Sequence, residues 1–300
     1  MLQNTLTGER VIWLMDTGVI TGSAGLPTLP LSWQFACVGD LDGDGSADIV
    51  LQNTDTGDRV VWKMNGEEIE TSLGLPTMAP EWQISAVIDI DGDSQNDLVL
   101  QNVRTGERRV WVLALQSGQL SINRTIELPT FYAGWRFAGS GYYTTDGKPN
   151  LLLQNSLTGD RVLWSMDGDG TIANSTALPA LPIEWSFAGA ATNRALASGL
   201  HDLNGDGASD ILVTNTSTGD RVIWAMQNGA IAGSIGLPTL PADWRFAGIG
   251  DFNADGLNDI LLENTSTGDR VLWLMNNGTI GGGAGLPLWH RRGGLPRSRT

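Results

Sequence analysis

Several residue types on which enzymes depend are scarce in this chain. Its 300 residues include one cysteine, Cys37, and two histidines, His201 and His290. A single cysteine excludes an intrachain disulfide. Two isolated histidines, without a cysteine nucleophile and partner, do not assemble the acid–base pairs or triads of common hydrolases. The sequence also lacks a glycine-rich phosphate-binding loop. We therefore predict that the protein is not an enzyme.

Basic residues and long apolar runs are scarce as well. The chain has 18 Lys and Arg against 33 Asp and Glu, which gives a net charge of −15. It has no basic stripe for a phosphate backbone, so we expect no nucleic-acid partner. It has no run of about 18 apolar residues, so we expect no direct membrane span. The first residues lack the features of a signal peptide and begin in mid-repeat, as expected of a piece of a longer protein.

Tryptophan, by contrast, is abundant and regularly spaced. All 12 tryptophans belong to two interleaved sets. The first set follows a repeated Thr-Gly-acid-Arg turn and consists of Trp13, Trp62, Trp111, Trp164, Trp224 and Trp273. The second consists of Trp33, Trp82, Trp135, Trp185, Trp244 and Trp289. A period of about 50 residues is in the range of β-propeller blades.

Each repeat contains four strand-like segments separated by turn residues. In one unit, Val60, Trp62 and Met64 share a face by period-two alternation, and Asn65-Gly66 is a strong hairpin signal. We predict an all-β fold, a β-propeller of four-stranded blades. The repeat count gives six blades, five whole and one divided between the termini, or seven if the chain is a fragment. Residues 1–287 would form this single propeller, and residues 288–300 an aberrant, disordered tail.

Acidic residues concentrate in one loop of each repeat. In the segment from Asp40 to Asp48, four acids stand at offsets of two, two and four, which match positions 1, 3, 5 and 9 of an EF-hand calcium loop. Ser46 stands at position 7, where a backbone carbonyl binds calcium. However, position 12 is Leu51 rather than Glu, and the flanks are typical of strands. The pattern therefore indicates a calcium loop on a β-hairpin.

This loop recurs, and 15 of the 33 acids lie in its five copies. Ser94 replaces the turn glycine in the second copy, where we expect backbone strain. Asn204 and Asn253 would supply a neutral oxygen, whereas the copy from Tyr142 to Asn150 keeps only Asp146 and should be empty. The predicted calcium ligands are Asp40, Asp42, Asp44, Ser46, Asp48, Asp89, Asp91, Asp93, Gln95, Asp97, Asp202, Asn204, Asp206, Ala208, Asp210, Asp251, Asn253, Asp255, Leu257 and Asp259.

The repeated segments Cys37 to Asp48 and Phe246 to Asp259 resemble the FG-GAP or VCBS repeat. This repeat is found in the propellers of integrin α-subunits and in many secreted bacterial proteins. Several soluble bacterial lectins resemble this chain in being tryptophan-rich propellers built from near-identical blades. The resemblance implies a propeller whose calcium ions have a structural role. It also implies an extracellular or cell-surface location and a glycan or extracellular protein as ligand. The alternative is a protein-interaction scaffold within a larger secreted protein.

Two further sets of repeated residues have competing interpretations. The first tryptophan set is predicted to lie in the core, because it alternates with Val and Met. Exposed tryptophan faces stack on sugars, so the candidate ligand-binding residues are Trp33, Trp82, Trp135, Trp185 and Trp244. In the Thr-Gly-acid-Arg turns, we expect a structural role, with the asparagines capping the turns and each arginine pairing with an acid of a neighbouring loop. These residues are Asn4, Asn53, Asn102, Asn155, Asn215 and Asn264, and Arg10, Arg59, Arg108, Arg161, Arg221 and Arg270.

Overall fold

The computed structural model describes residues 1–116, 119–132, 134–187 and 201–287. The predicted tail, residues 288–300, which includes Trp289, lies outside these residues, as does the segment 188–200. Within them the chain forms β-strands and no helix. The strands are β1 (Leu2–Gln3), β2 (Arg10–Asp16), β3 (Val19–Leu26), β4 (Trp33–Gly39), β5 (Asp48–Asn53), β6 (Arg59–Asn65), β7 (Glu68–Leu75), β8 (Trp82–Ile88), β9 (Asp97–Asn102), β10 (Arg108–Gln116), β11 (Gln119–Leu128), β12 (Trp135–Gly141), β13 (Asn150–Asn155), β14 (Arg161–Met166), β15 (Ile172–Leu178), β16 (Trp185–Phe187), β17 (Ile211–Asn215), β18 (Arg221–Gln227), β19 (Ala230–Leu237), β20 (Trp244–Gly250), β21 (Asp259–Asn264), β22 (Arg270–Asn276) and β23 (Thr279–Leu286).

These strands form six antiparallel sheets, each made of strands that are consecutive in the chain. Blade 1 contains β1–β3, and the following blades contain β4–β7, β8–β11, β12–β15, β16–β19 and β20–β23. Blade 1 has three strands among the described residues, and the other five have four. The first strands β4 and β8 contact each other, as do β8 and β12, so the first strand of each four-stranded blade is the inner one. The predicted six-bladed all-β propeller is confirmed.

The ring closes through the same contact that joins other neighbouring blades. The hairpin between the last two strands of a blade donates a backbone hydrogen bond to the acidic loop of the preceding blade. Gly278 N–H donates to the Leu203 carbonyl at 2.8 Å, and Gly229 N–H to the Tyr143 carbonyl at 2.8 Å. Gly18 N–H, in blade 1, donates to the Phe252 carbonyl of blade 6 at 2.9 Å. Blade 6 is therefore followed in space by blade 1.

Among the described residues, the hydrophobic core consists of five clusters, each of which lies between two neighbouring blades. In one of them Val61 of blade 2 packs with Leu98 and Trp111 of blade 3. Both faces of a blade are covered in this way, which explains why the middle strand β9 is buried along its whole length. Trp62, Trp111, Trp164, Trp224 and Trp273 are all buried. The core assignment of these tryptophans is confirmed, and Trp13 is half-buried.

The Thr-Gly-acid-Arg turns stabilise the joint between blades. Asn53 Oδ1 accepts hydrogen bonds from the backbone N–H groups of Asp55 and Thr56 at 2.9 and 3.2 Å, so the predicted asparagine caps are present. The arginine at the end of the turn is buried in five of the six copies. Arg161 donates from Nη1 to the Gly159 carbonyl and from Nη2 to the Trp185 carbonyl of the next blade, both at 2.7 Å. We call this second bond the interblade latch.

The same latch is formed by Arg10, Arg59, Arg108 and Arg221 with Trp33, Trp82, Trp135 and Trp244. The predicted pairing with loop acids is therefore wrong for these five arginines. A backbone carbonyl accepts the guanidinium because the turn directs it into the interface, away from the exposed acids. Arg270 differs from the others and pairs with Glu263.

Candidate metal centre

The acidic loops connect the inner strand of a blade to its second strand, on the side of the ring where the hairpins lie. We number them by blade, so loop 2 runs from Asp40 to Asp48 and loop 3 from Asp89 to Asp97. Loop 4 runs from Tyr142 to Asn150, loop 5 from Asp202 to Asp210 and loop 6 from Asp251 to Asp259. In each loop the ninth residue lies at or just before the start of the second strand.

The ninth residue connects three segments of its blade. Asp97 accepts a hydrogen bond on Oδ2 from Ile90 N–H and on Oδ1 from Leu113 N–H, both at 2.9 Å. Ile90 belongs to the loop entrance and Leu113 to the third strand. Asp48, Asp210 and Asp259 make the equivalent pair of bonds. These carboxylates are structural residues whether or not a metal is bound.

Burial makes the charged form of these carboxylates unfavourable. It raises the pKa of Asp97 to about 7 and that of Asp210 to about 6. The pKa values of Asp48 and Asp259 are raised for the same reason. Neighbouring acids of the same loop add to the increase, and the two backbone hydrogen bonds oppose it. A cation in the loop would favour the ionised form, because an opposite charge within about 4–6 Å stabilises a carboxylate.

The other acids of loop 2 accept hydrogen bonds from backbone N–H groups of the same loop, so that the backbone curves around their carboxylates. Asp40 accepts hydrogen bonds from Gly43 N–H at 2.7 Å and from Gly45 N–H at 2.9 Å. Asp44 accepts one from Ser46 N–H at 2.7 Å. One ligand oxygen each of Asp40, Asp42 and Asp48 then lie within 4.8 Å of one another. This winding brings the carboxylates together on the inside of the loop.

Loop 3 has the same winding and one additional property. Ligand oxygens of Asp89, Asp91 and Asp97 lie within 4.8 Å of one another. Asp91 Oδ1 is buried and has no hydrogen-bond partner, and neither has Gln95 Oε1. An orphaned buried carboxylate oxygen is costly unless a cation or water satisfies it. Oxygen donors at this density suit a hard cation such as calcium, so the residues fit the ion.

The predicted strain at Ser94 is also present, because its φ angle is 71°. This is the left-handed region, which glycine adopts without cost. Glycine stands at the equivalent positions of the other acidic loops, Gly45, Gly207 and Gly256, with φ angles of 88°, 85° and 87°.

Loops 5 and 6 adopt the same winding with asparagine in the third position. Asn204 Oδ1 accepts a hydrogen bond from Asp206 N–H at 2.9 Å, and Asn253 Oδ1 accepts one from Asp255 N–H at 3.0 Å. The position-seven residues Ser46, Gln95, Ala208 and Leu257 each donate their N–H to the acid at position five. In the part of the chain that the structure describes, loops 2 and 3 are the two in which three acids converge.

Loop 4 uses other contacts. Asn150 Oδ1 accepts a hydrogen bond from Tyr143 N–H at 2.7 Å, in place of the missing ninth acid. Lys148 Nζ pairs with Asp167 Oδ1 of the following hairpin at 2.6 Å.

Neighbouring loops are bonded to each other, which sequence reasoning missed. Asn96 Nδ2, at position eight of loop 3, donates to the Asp40 carbonyl of loop 2 at 2.7 Å. Ser209 N–H donates to the Tyr142 carbonyl at 2.9 Å, and Asn258 N–H to the Asp202 carbonyl at 3.4 Å. The asparagines at position eight of loops 3 and 6 were the sequence feature that could have indicated these bonds between loops. Loops 2 and 3 are therefore bonded as a pair, and loops 4, 5 and 6 as a second group, on one side of the ring.

The second tryptophan set lies at the inner end of each blade, where its carbonyls accept the latches. Trp82 is buried, with 7% of its surface exposed. Trp33, Trp135, Trp185 and Trp244 are half-buried and pack against the interblade clusters. The most exposed aromatic side chain among the described residues is Tyr132, at 93%, which the sequence did not single out. It lies three residues before Trp135, in the crossing between blades.

A closed ring of six blades with acidic loops on one side defines the class of protein, a β-propeller. The propeller contains FG-GAP-like repeats, which match residues 40–100 and 202–262, and this combination is typical of a binding or scaffold module. The two matched segments contain loops 2, 3, 5 and 6. They thus include the acidic loops with at least three acids.

Solved structures share this fold at low sequence identity. A chain of a nidogen–laminin complex aligns with a TM-score of 0.55 and 10% identity, over 92% of this chain and 90% of that one. A candidate 6-phosphogluconolactonase from Bacteroides uniformis ATCC 8492 aligns with a TM-score of 0.52 and 13% identity, over 90% of this chain and 77% of that one. No curated protein matches the chain in sequence. Among the described residues, no helix is long and apolar enough to cross a membrane.

Proposed function

We propose that this propeller is a calcium-stabilised, non-catalytic binding module that works outside the cell. The observation that carries the proposal is loop 3, where three carboxylates converge and Asp91 Oδ1 is buried without a hydrogen-bond partner. A bound calcium ion would satisfy this oxygen and offset the mutual repulsion of the acids. Extracellular calcium modules bind their ion with a Kd of about 10⁻⁴–10⁻³ M, so calcium-rich surroundings suit this role.

Calcium would be held mainly by the acids at positions one, three, five and nine. In loop 3 these are Asp89, Asp91, Asp93 and Asp97, with the carbonyl of Gln95 as a further donor. The ion would favour ionised Asp97, whose carboxylate already connects three segments of blade 3. Binding would therefore stabilise the blade as a whole rather than one exposed loop.

Thermal unfolding with and without calcium tests the proposal. An ion that binds only the folded state stabilises by about 2.7 kcal/mol at 100 times its Kd. We expect a clear rise in Tm on adding calcium to protein treated with EDTA, and a smaller rise for Asp91→Asn. The matched control is Asp146→Asn, in loop 4, which should leave the calcium-induced rise unchanged. An identical Tm with EDTA and with excess calcium would contradict the proposal.

We further propose that the ligand is a carbohydrate bound on the side of the ring where the blade crossings lie. Support comes from four half-buried tryptophans repeated around the ring and from the exposed ring of Tyr132. Repeated weak sites give avidity, since a second contact occurs at high effective concentration. We expect binding on a glycan array in calcium, weakened by Tyr132→Ala, which should not affect folding. A folded, calcium-loaded protein that binds no glycan would favour the scaffold alternative.

A further inference from the structure

Loop 2 contains a built-in positive charge. Lys63 Nζ lies 2.9 Å from Asp42 Oδ2 and 3.5 Å from Asp44 Oδ2, and its third contact is Glu70 Oε2 at 3.0 Å. Lys63 belongs to the third strand of the same blade, directly before Met64, whose N–H bonds to Asp48. The ammonium group therefore lies against two of the four acids that calcium would use.

No other blade has a cation at this position of the third strand. The equivalent residues, each directly after the first-set tryptophan, are Leu14, Val112, Ser165, Ala225 and Leu274. A lysine in this place is thus not required by the fold of the blade. It is a feature of loop 2 alone.

Loop 3 receives a cation from a different strand. Arg124 Nη2, on the outer strand β11, lies 3.0 Å from Asp91 Oδ2. This contact leaves Asp91 Oδ1 without a partner. In loop 2, by comparison, Asp42 Oδ1 accepts Asp44 N–H at 3.2 Å and Oδ2 accepts Lys63. Both oxygens of Asp42 are therefore already used within the protein.

We propose that Lys63 is a tethered counter-cation, whose ammonium group competes with calcium for Asp42 and Asp44 and thereby sets the calcium affinity of loop 2. This inference rests on the proposed calcium binding. Two positive charges within a few ångströms of the same carboxylates repel each other, so calcium must displace the ammonium group toward Glu70 and solvent. Without calcium, the ammonium group screens the repulsion between the acids and keeps the loop wound. Loop 3, which retains a free carboxylate oxygen, is the tighter site.

The test compares calcium binding by the full chain and by Lys63→Met, measured by calorimetry or with a competing chelator dye. Removing a nearby unit positive charge is expected to tighten calcium binding at one site about tenfold, which corresponds to about 1.4 kcal/mol. Lys63→Arg keeps the charge and should retain the affinity of the unmodified chain. In EDTA, Lys63→Met should melt at a lower temperature than Lys63→Arg.

A second substitution assigns the gain to loop 2. Adding Asp40→Asn to Lys63→Met should abolish the tightened site, whereas adding Asp251→Asn, in loop 6, should leave it. Calcium binding that is unchanged by Lys63→Met would overturn the inference and leave the proposed function standing. A chain that binds no calcium, with or without Lys63, would overturn both.

Discussion

At the scale of single residues, the aspartate that ends an acidic loop is subject to two opposing effects, hydrogen bonding that favours its ionised form and burial that disfavours it. Its two backbone hydrogen bonds need both carboxylate oxygens, while burial disfavours the charge that makes these oxygens good acceptors. Asn150 shows what an amide does at this position. Its Nδ2 is buried without a partner, and Met166 N–H bonds to the Pro149 carbonyl instead.

Substituting Asp97 by Asn should therefore destabilise the protein even without calcium. The amide keeps one acceptor and places an N–H group against a backbone N–H. Leaving a buried polar group unsatisfied costs about 1–3 kcal/mol. Urea unfolding in EDTA would measure the loss. Asp93→Asn is the control, since Asp93 is exposed and bonds only within its loop; equal losses for both variants would argue against the bridging role.

The reactivity of the one cysteine can be used to measure whether the interface between blades 2 and 3 opens. Cys37 is 1% exposed within the cluster that joins blades 2 and 3, and burial raises the pKa of its thiol. Because the thiolate is the reactive form, we expect Cys37 to resist a thiol reagent at pH 8 and to react fully in denaturant. Rapid labelling of the native protein would show that these two blades separate readily.

Sequence reasoning located the acids of the loops but not their partners. The offsets between Asp40 and Asp48 are local, so the spacing alone indicates that their carboxylates converge. Lys63 and Arg124 act on these loops from other strands, 21 residues beyond Asp42 and 33 beyond Asp91 in the chain. Such pairs depend on the strand register, which periodicity does not specify to the residue.

At the scale of the element, the turn between the second and third strands packs closely against the crossing segment that follows the fourth strand. Gly57, Gly159 and Gly219 have φ angles of 77°, 79° and 80°, and a backbone carbonyl lies directly over each. At Gly219, a Cβ atom would lie 1.7 Å from the Leu240 oxygen. The turn needs glycine for its conformation and for the approach of the crossing segment.

Gly219→Ala should be far more destabilising than Gly207→Ala. Both glycines have nearly the same positive φ, 80° and 85°, so the cost of the left-handed backbone, of order 1 kcal/mol, is shared. A Cβ at Gly207 would meet nothing within 4 Å, whereas one at Gly219 forces the crossing to move. Comparing the two melting temperatures isolates the steric contribution. Similar values would mean that the crossing adjusts freely.

The strands were predictable and the partner of each turn arginine was not. Alternation in Val60, Trp62 and Met64 indicates a strand with a buried face whatever surrounds it. Arg59, in contrast, lies beside Asp58 in sequence and bonds to a carbonyl in the next blade. A charged side chain next to an acid suggests an ion pair, but burial at the joint selects a backbone acceptor.

At the scale of the whole molecule, the spacing of the tryptophans predicted the number of blades, because each unit contributes one to each set. The interblade latches link each of blades 1 to 5 to the blade that follows it. Arg161 is fully buried, and burial lowers its pKa only to about 10, so it stays charged at neutral pH. Its guanidinium lies 5.0 Å from the centre of the Phe187 ring, whose face also attracts a cation.

Arg161→Met should destabilise the ring by about 3 kcal/mol, since hydrogen bonds to charged groups are worth about 1.5–3 kcal/mol each and two of them are lost, although the Trp185 carbonyl keeps Gln154 Nε2 as a donor and the Gly159 carbonyl keeps Leu181 N–H. Arg161→Lys keeps the charge but not the forked geometry, so its stability should lie between those of the unmodified chain and Arg161→Met. Arg104→Met is the control, because this side chain is 77% exposed and should change stability by less than about 0.5 kcal/mol. Denaturant unfolding measures all three; equal stability of the Met variants would rule out the latch as a source of stability.

The latch also has a direction, since every donor lies in one blade and its acceptor in the blade that follows. Blades 2 to 5 thus each present the arginine donor to one neighbour and the tryptophan carbonyl acceptor to the other. Tandem duplication of a 49-residue unit, the spacing between Trp13 and Trp62, would create a new joint identical to those already present. Rings of this kind can gain or lose whole blades through recombination between near-identical repeats, without any new interface having to evolve.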